Sequence, residues 1–289
     1  MNTKEFLLTL TCLVCGVISV AIDVNKISKF EDVVSYSELE NMWNGIRFPS
    51  AREFRRRRKP FTINVEGIVG TGKSTFLKSF EVYPLMDVLT EPVDRWTNLN
   101  GTDLLQLIYN DPKRWGMAQE SYVQLTMLQE HLRNFGVIKV MERSLQSARF
   151  VFIENLYRSG NLQPVEYNIL SQWYSMFHEM EAIDVSTDLT VYLQSNPDVV
   201  LERIKRRGRK EESQITREFL WNIHRLHEDW LVHKNTTFPL PSEQIIVVNT
   251  SKPFASMKRL YKTLVKKIWD LVPNELKADP KYRCSHNFQ

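Results

Sequence analysis

Cysteine is nearly missing from this chain. Only three of its 289 residues are cysteine, and two of them, Cys12 and Cys15, fall in the opening segment. If that segment is removed, Cys284 stands alone and no internal disulfide can form, which suits a fold evolved in a reducing compartment. Long apolar runs are missing as well, with one exception. Phe6 to Ile22, FLLTLTCLVCGVISVAI, is a seventeen-residue stretch behind Lys4. Its length is at the short limit for crossing a bilayer, and Ser19-Val20-Ala21 has the small-residue spacing of a cleavage site. Residues 1–21 therefore read as a secretory signal peptide, and no stable membrane span is expected after its removal. The opening has no arginine and carries Glu5, which disfavours a mitochondrial transit peptide there. Neither charge sign is in large excess. With 38 basic against 34 acidic residues the net charge is +4, which gives no case for a nucleic-acid partner and suits small anionic substrates equally well. No internal repeat is present, and the length fits one large domain with short extensions.

Glycine is sparse at ten residues, yet three of the ten stand at 67, 70 and 72. They belong to FTINVEGIVGTGKST, Phe61 to Thr75. A β-branched run, Thr62 to Val65, leads into GIVGTGKS, which satisfies G-x-x-x-x-G-K-[ST], and helix-compatible FLKSF follows. Successive backbone N–H groups can surround a polyphosphate only where no Cβ intrudes, hence the glycines. Gly67, Ile68, Val69, Gly70, Thr71, Gly72, Lys73, Ser74 and Thr75 are thus expected to bind ATP. Lys73 would reach the outer phosphates, the Ser74 hydroxyl would ligate Mg²⁺, and the helix start adds its positive dipole end.

Downstream, short strands alternate with helical patterns. Strands are expected at 87–90, 136–141, 188–193 and 244–249. Helices are expected near 101–110, 118–133, 144–184 with a break at 160–164, 197–207, 215–233 and 254–272. This pattern predicts an α/β fold of the P-loop NTPase kind: a five-stranded parallel sheet with helices on both faces and its ligand at the C-terminal strand ends. Glu91 directly follows the second strand, where a carboxylate can take the proton of an attacking hydroxyl. Glu142 and Arg143 follow the third, adding a Mg²⁺ contact and a fixed guanidinium. LERIKRRGRKEE, Leu201 to Glu212, reads either as a solvated helix face or as a mobile segment whose arginines close over a triphosphate.

Residues 22–59 read as a linker or pro-segment. It ends in the basic run Arg55 to Lys59, a candidate processing site near Arg58. Translation from Met42 would instead give a mitochondrial or cytosolic product with an arginine-rich start. Residues 60–272 form the catalytic domain in this reading, and 273–289 a tail. Of three glycosylation sequons, at Asn100, Asn235 and Asn249, the second is the one expected to be available.

The runs EPVDRWTNLNGTDLLQLIYNDPKRW (Glu91 to Trp115), SYVQLTMLQ, MERSLQSARFVF, RIKRRGRKEES and LHEDWL resemble the deoxynucleoside kinases from about Pro60 to Leu271. The resemblance implies transfer of the γ-phosphoryl of ATP to a deoxynucleoside 5′-hydroxyl, with Mg²⁺, in a homodimer with an arginine-rich lid. It implies that Glu91 is the general base, that Arg143 and Lys73 stabilise charge, and that Arg203, Arg207 and Arg209 belong to the lid. Tyr109 and Glu212 match the pair that holds the sugar 3′-hydroxyl, while Trp96, Ile108, Ala148 and Phe152 match the walls of the base pocket. One position departs from the family: Glu120 stands where a glutamine is expected. An ionised carboxylate offers acceptors only, so thymidine should be handled poorly, and either a base with two donors, such as guanine, is preferred or the activity is much reduced. Gln119 replaces an aromatic wall residue. The alternative to an active kinase is a secreted protein that keeps the fold, binds nucleosides and transfers phosphate little or not at all.

Overall fold

A computed structural model describes residues 60–278 except 134–135, 181–182, 210–211, 235–238, 241, 243 and 253, together with residues 46, 48–50, 52 and 53. The signal peptide, Met42, the basic run, Asn235 and the end of the tail lie outside the described residues. Strands β1 (Phe61–Glu66), β2 (Met86–Leu89), β3 (Ile138–Glu142), β4 (Leu189–Gln194) and β5 (Ile245–Asn249) build one sheet in the order β2-β3-β1-β4-β5. All pairings are parallel, with Ile63 of β1 opposite Val140 on one side and Leu189 on the other. β1 is the central strand. Because β3 and β4 flank it, the chain switches from one half of the sheet to the other there, and the crevice for a ligand opens above its C-terminal end.

Alternation along the strands divides the core into two layers. Phe61, Ile63 and Val65, with Ile138, Val140, Leu189, Val191 and Leu193, face helices α1 (Lys73–Leu77) and α9 (Phe254–Leu271). Phe76 is fully buried in this layer, and side chains of that kind stabilise the fold by roughly 1.5–3 kcal/mol each. The opposite face of β1 is polar: Thr62 N–H donates to Asp188, and Asn64 Nδ2 donates to Thr187 Oγ1 at 2.6 Å. On that face Met141 of β3 and Tyr192 of β4 pack with helices α4 (Pro112–Leu132), α5 (Leu145–Arg158) and α8 (Arg217–His227). Helix α5 runs in three consecutive pieces, Leu145–Ser147, a widened π-helical turn Ala148–Ile153, and Glu154–Arg158. Helix α8 (Arg217–His227) likewise widens over Glu228–Val232.

Helix starts follow local chemistry. Asp103 caps α3 (Leu104–Asn110) by accepting from Gln106 N–H, and Asp111 caps α4 by accepting from Arg114 N–H. With Pro112 in its first turn, α4 begins six residues earlier than its apolar pattern suggests. Helix α6 (Pro164–Glu179) also opens on proline. Helix α7 (Pro197–Arg207) is capped by Asn196 and ends at Gly208, φ +63°. The short α2 (Val93–Thr97) joins β2 to α3.

Two segments outside the expected domain pack onto it. Phe48, from the region read as linker, stacks on Phe61 with centroids 4.3 Å apart. At the other end α10 (Asn274–Ala278) buries Leu276 completely in the first core layer. Among the described residues no helix is long and apolar enough to cross a membrane.

Candidate active site

The phosphate loop leaves β1 at Glu66 and turns through left-handed backbone. Gly67 has φ +143°, and a Cβ there would lie 2.7 Å from the Leu193 carbonyl oxygen; at Gly70, φ +84°, it would lie 2.9 Å from both Val200 and Ile204. Glycine is therefore required twice over, for access of a ligand and because β4 and α7 press against the loop from beneath. Tyr261 of α9 supports the loop from the other side, donating to the Thr71 carbonyl at 3.3 Å.

Lys73 opens α1, with Nζ donating to the carbonyls of Gly67 and Ile68 at 3.2 and 3.3 Å. Burial, helped by Arg143, lowers its ammonium to about 8 against the pull of Glu91 and Glu142. Ser74 Oγ donates to Glu142 Oε1 at 3.0 Å, which joins the loop to the end of β3.

Arg143, the next residue, sits at φ +63°, a conformation few non-glycine residues adopt and one that concentrates at functional sites. Its N–H donates to the Val65 carbonyl, which holds the turn. So placed, Arg143 Nε reaches Glu91 Oε1 at 2.6 Å and the guanidinium lies over Phe152, 4.6 Å from its centroid. Nη1 is a buried donor with no hydrogen-bond partner among the described residues. Burial raises the Glu91 carboxyl above its ordinary range, while Arg143 and Lys73 pull it back. Beneath them Glu66, fully buried, accepts from Ser144 Oγ at 2.6 Å, and Ser144 in turn caps α5. That support is a feature sequence reasoning passed over; its signal was the Ser144-x-x-Ser147 capping pattern.

One cavity of about 1080 Å³ receives these groups. It is lined by Val69, Gly70, Gly72, Lys73, Ser74 and Thr75 of the phosphate loop and by Glu142, Arg143 and Glu91. Trp96, Ile108, Tyr109, Glu120, Ala148 and Phe152 line the same cavity, as do Arg207, Arg209 and Glu212. Tyr109 is pushed up to about 12 by burial and then by Glu212, so its hydroxyl stays protonated.

Other predicted residues are placed differently. Ile68 is buried in the second core layer, and Thr71 is buried with its hydroxyl on the Ile68 carbonyl. Neither side chain lines the cavity, nor does Gly67, so these three can offer a triphosphate only backbone. Arg203, expected in the lid, points elsewhere in this conformation. It sits one helical turn before Arg207, within reach of the loop after β5, and donates there to the carbonyls of Thr250 and Lys252 at 2.7 and 2.8 Å. Arg207 is paired with Glu212 through Nε and Nη2, and Arg209 approaches the same carboxylate at 4.0 Å.

The family model for deoxynucleoside kinases matches residues 63–273. The chain belongs to the deoxynucleoside kinase family. Mitochondrial thymidine kinase 2 of Macaca fascicularis is 41% identical over 234 residues, covering 81% of this chain and 86% of the relative; its Homo sapiens counterpart is 43% identical over 201 residues, covering 69% and 74%. Deoxycytidine kinase of Homo sapiens is 30% identical over 245 residues, covering 76% of this chain and 93% of the relative.

In this kinase the groups expected to hold Mg²⁺ fit that ion. A hydroxyl and a carboxylate, Ser74 and Glu142, are hard oxygen donors already side by side, and they would hold the ion together with water and phosphate oxygens. At the departure position, Glu120 is buried in the cavity wall. The residue is 5% exposed, and burial pushes its carboxyl up to about 8.

Proposed function

We propose that this kinase transfers the γ-phosphoryl group of ATP to the 5′-hydroxyl of a deoxynucleoside, giving the 5′-monophosphate. The observation that carries this reading is the contact between Glu91 and Arg143 in the same cavity as Lys73. Glu91 accepts the hydroxyl proton, and its raised affinity for protons brings it nearer to the working pH, where a general base is most effective. Arg143 keeps that carboxylate oriented and, through its unpartnered Nη1, offers a donor to charge developing on the transferred group. Lys73 leaves the Gly67 and Ile68 carbonyls for the outer phosphates, which restore its full charge. Mg²⁺, held by Ser74 and Glu142, would neutralise phosphate charge. Arg207 and Arg209 close on the triphosphate, which frees Glu212 to join Tyr109 at the sugar 3′-hydroxyl.

The same reading includes a homodimer. Val165, Ile169, Trp173 and Met176 form an exposed apolar stripe along α6, with Trp173 49% exposed. Leu125 and Leu132 of α4 are exposed apolar residues on the helix packed beside it. A second copy covers this face, and Trp173→Asp is expected to give monomers by analytical ultracentrifugation. The names of the thymidine kinase 2 relatives favour the mitochondrial alternative, with translation from Met42, over secretion. Cell fractionation with an antibody to the catalytic domain distinguishes the two. The activity itself is tested with labelled ATP against the four deoxynucleosides and their ribose forms. Labelled deoxynucleoside monophosphate supports it; nucleoside binding without transfer supports the binding-protein reading instead.

A further inference from the structure

Where α5 widens to a π turn over Ala148–Ile153, Arg149 inside the turn meets Glu154 just after it. Arg149 Nη2 donates to the Tyr167 hydroxyl at 2.8 Å, that hydroxyl donates to Glu154 Oε2 at 2.8 Å, and Arg149 Nη1 lies 3.7 Å from the same carboxylate oxygen. Arg158 Nε donates to the other oxygen at 2.6 Å, and the Arg149 guanidinium sits 4.5 Å from the centroid of the Tyr167 ring. Arg149 and Glu154 are five positions apart. In an α-helix that spacing sets two side chains about 140° apart around the axis, whereas it is the hydrogen-bond repeat of a π turn. The three-way contact is thus a product of the wide turn, and Tyr167, on α6, fastens it to a neighbouring helix. The Arg149 and Glu154 side chains are 8% and 7% exposed. Desolvation offsets most of the attraction in so buried a pair, so what the pair supplies is geometry more than stability. The same turn carries Ala148 and Phe152 to the cavity, and Phe152 is the ring on which Arg143 is seated.

We propose that Arg149, Tyr167 and Glu154 are positioning residues for phosphoryl transfer: by locking the π turn of α5 they hold Phe152 against the Arg143 guanidinium, and so hold Arg143 on Glu91. The inference rests on the kinase reading and deepens it. None of the three lines the cavity, so their influence on the reaction runs through the turn. Relaxing the turn to α-helical spacing drops one residue from it and rotates the helix on one side relative to the other by about 100°. The start of α5 is fixed independently by the Ser144 cap, which leaves the turn itself, and Phe152 within it, to take up the change.

Tyr167→Phe removes only the shared hydroxyl, and the test measures kcat and KM of that variant of the full chain, with the deoxynucleoside that the wild type phosphorylates fastest. The expected result is a kcat lower by about ten- to a hundredfold with KM for ATP within about twofold of wild type, as when a group at the chemistry is slightly misplaced from a distance. In an Arg143→Lys background the same substitution is expected to add nothing, because Arg143 is the group it acts through. A wild-type kcat in Tyr167→Phe, or an undiminished fall in the Arg143→Lys background, overturns the inference. Should Tyr167→Phe not fold, the double variant Arg149→Met, Glu154→Leu decides, since it exchanges the buried pair for apolar side chains of similar length. It is expected to unfold at a urea concentration no lower than the wild type while kcat falls by the same factor; an unchanged kcat, or loss of the fold, overturns the inference. If the wild type phosphorylates no deoxynucleoside, the kinase reading fails separately, and the crystal structure of Tyr167→Phe decides the role of the cluster. A narrowed turn with Phe152 withdrawn from Arg143 supports it, and a retained turn with Phe152 still against Arg143 overturns it.

Discussion

Arg143 Nε meets Glu91 Oε1 at 2.6 Å, and the arginine backbone is held in the left-handed region at φ +63° to make that contact. The pair joins the ends of β2 and β3. Each partner fixes the other's orientation, and the guanidinium is also seated on Phe152.

Arg143→Lys is therefore not conservative. Lysine has no planar fork to bind the carboxylate and lie over the ring together. The expected result is a fall in kcat of about 10²–10³, the size seen when one charge-stabilising donor is lost, with a much smaller change in KM for ATP. Steady-state kinetics of the variant check it.

Gly67 and Gly208 both have positive φ, but only at Gly67 would a Cβ strike backbone. Gly208→Ala is expected to cost about 1–2 kcal/mol, the strain of the left-handed conformation alone. Gly67→Ala adds displacement of the loop from Leu193, so it should cost more and abolish ATP binding. Urea unfolding of the two variants, with calorimetry of ATP binding, separates the effects.

Glu120 also links pH to stability. Its carboxyl titrates near 8 in the folded chain against an ordinary 4.5, so between those values the folded state holds a proton that the unfolded state has lost. The contribution is fully present below the lower value and disappears as pH rises through the upper one. The slope approaches 1.4 kcal/mol per pH unit, roughly, in between. Glu120→Gln removes the term, so the difference in stability between variant and wild type should grow in the variant's favour from pH 5 to pH 8, about as that slope dictates. Denaturant unfolding across that range measures it.

Much of this was legible in the sequence because it is local. The five strands announce themselves by β-branched runs, and their ends agree with the structure to within two residues. Gly67 to Ser74 carries its own spacing, and Glu91, Glu142 and Arg143 follow strands directly, so a parallel sheet brings them to one edge. What was hidden depends on residues distant in the chain. Arg203 is held by carbonyls 47 and 49 positions away, and Tyr261 reaches the phosphate loop from 190 positions on. The raised proton affinity of Glu120 follows from burial, which no spacing encodes. Leu276 escaped notice because five residues beyond a proline give too little periodicity to mark a core helix.

Phosphoryl transfer by wild type and Glu91→Gln, followed with labelled ATP under saturating deoxynucleoside, tests the central claim most directly. The wild type should form the 5′-monophosphate, and the variant should be slower by about 10²–10⁴, as for loss of a positioned general base, while still binding ATP. Equal rates in the two proteins would contradict the account.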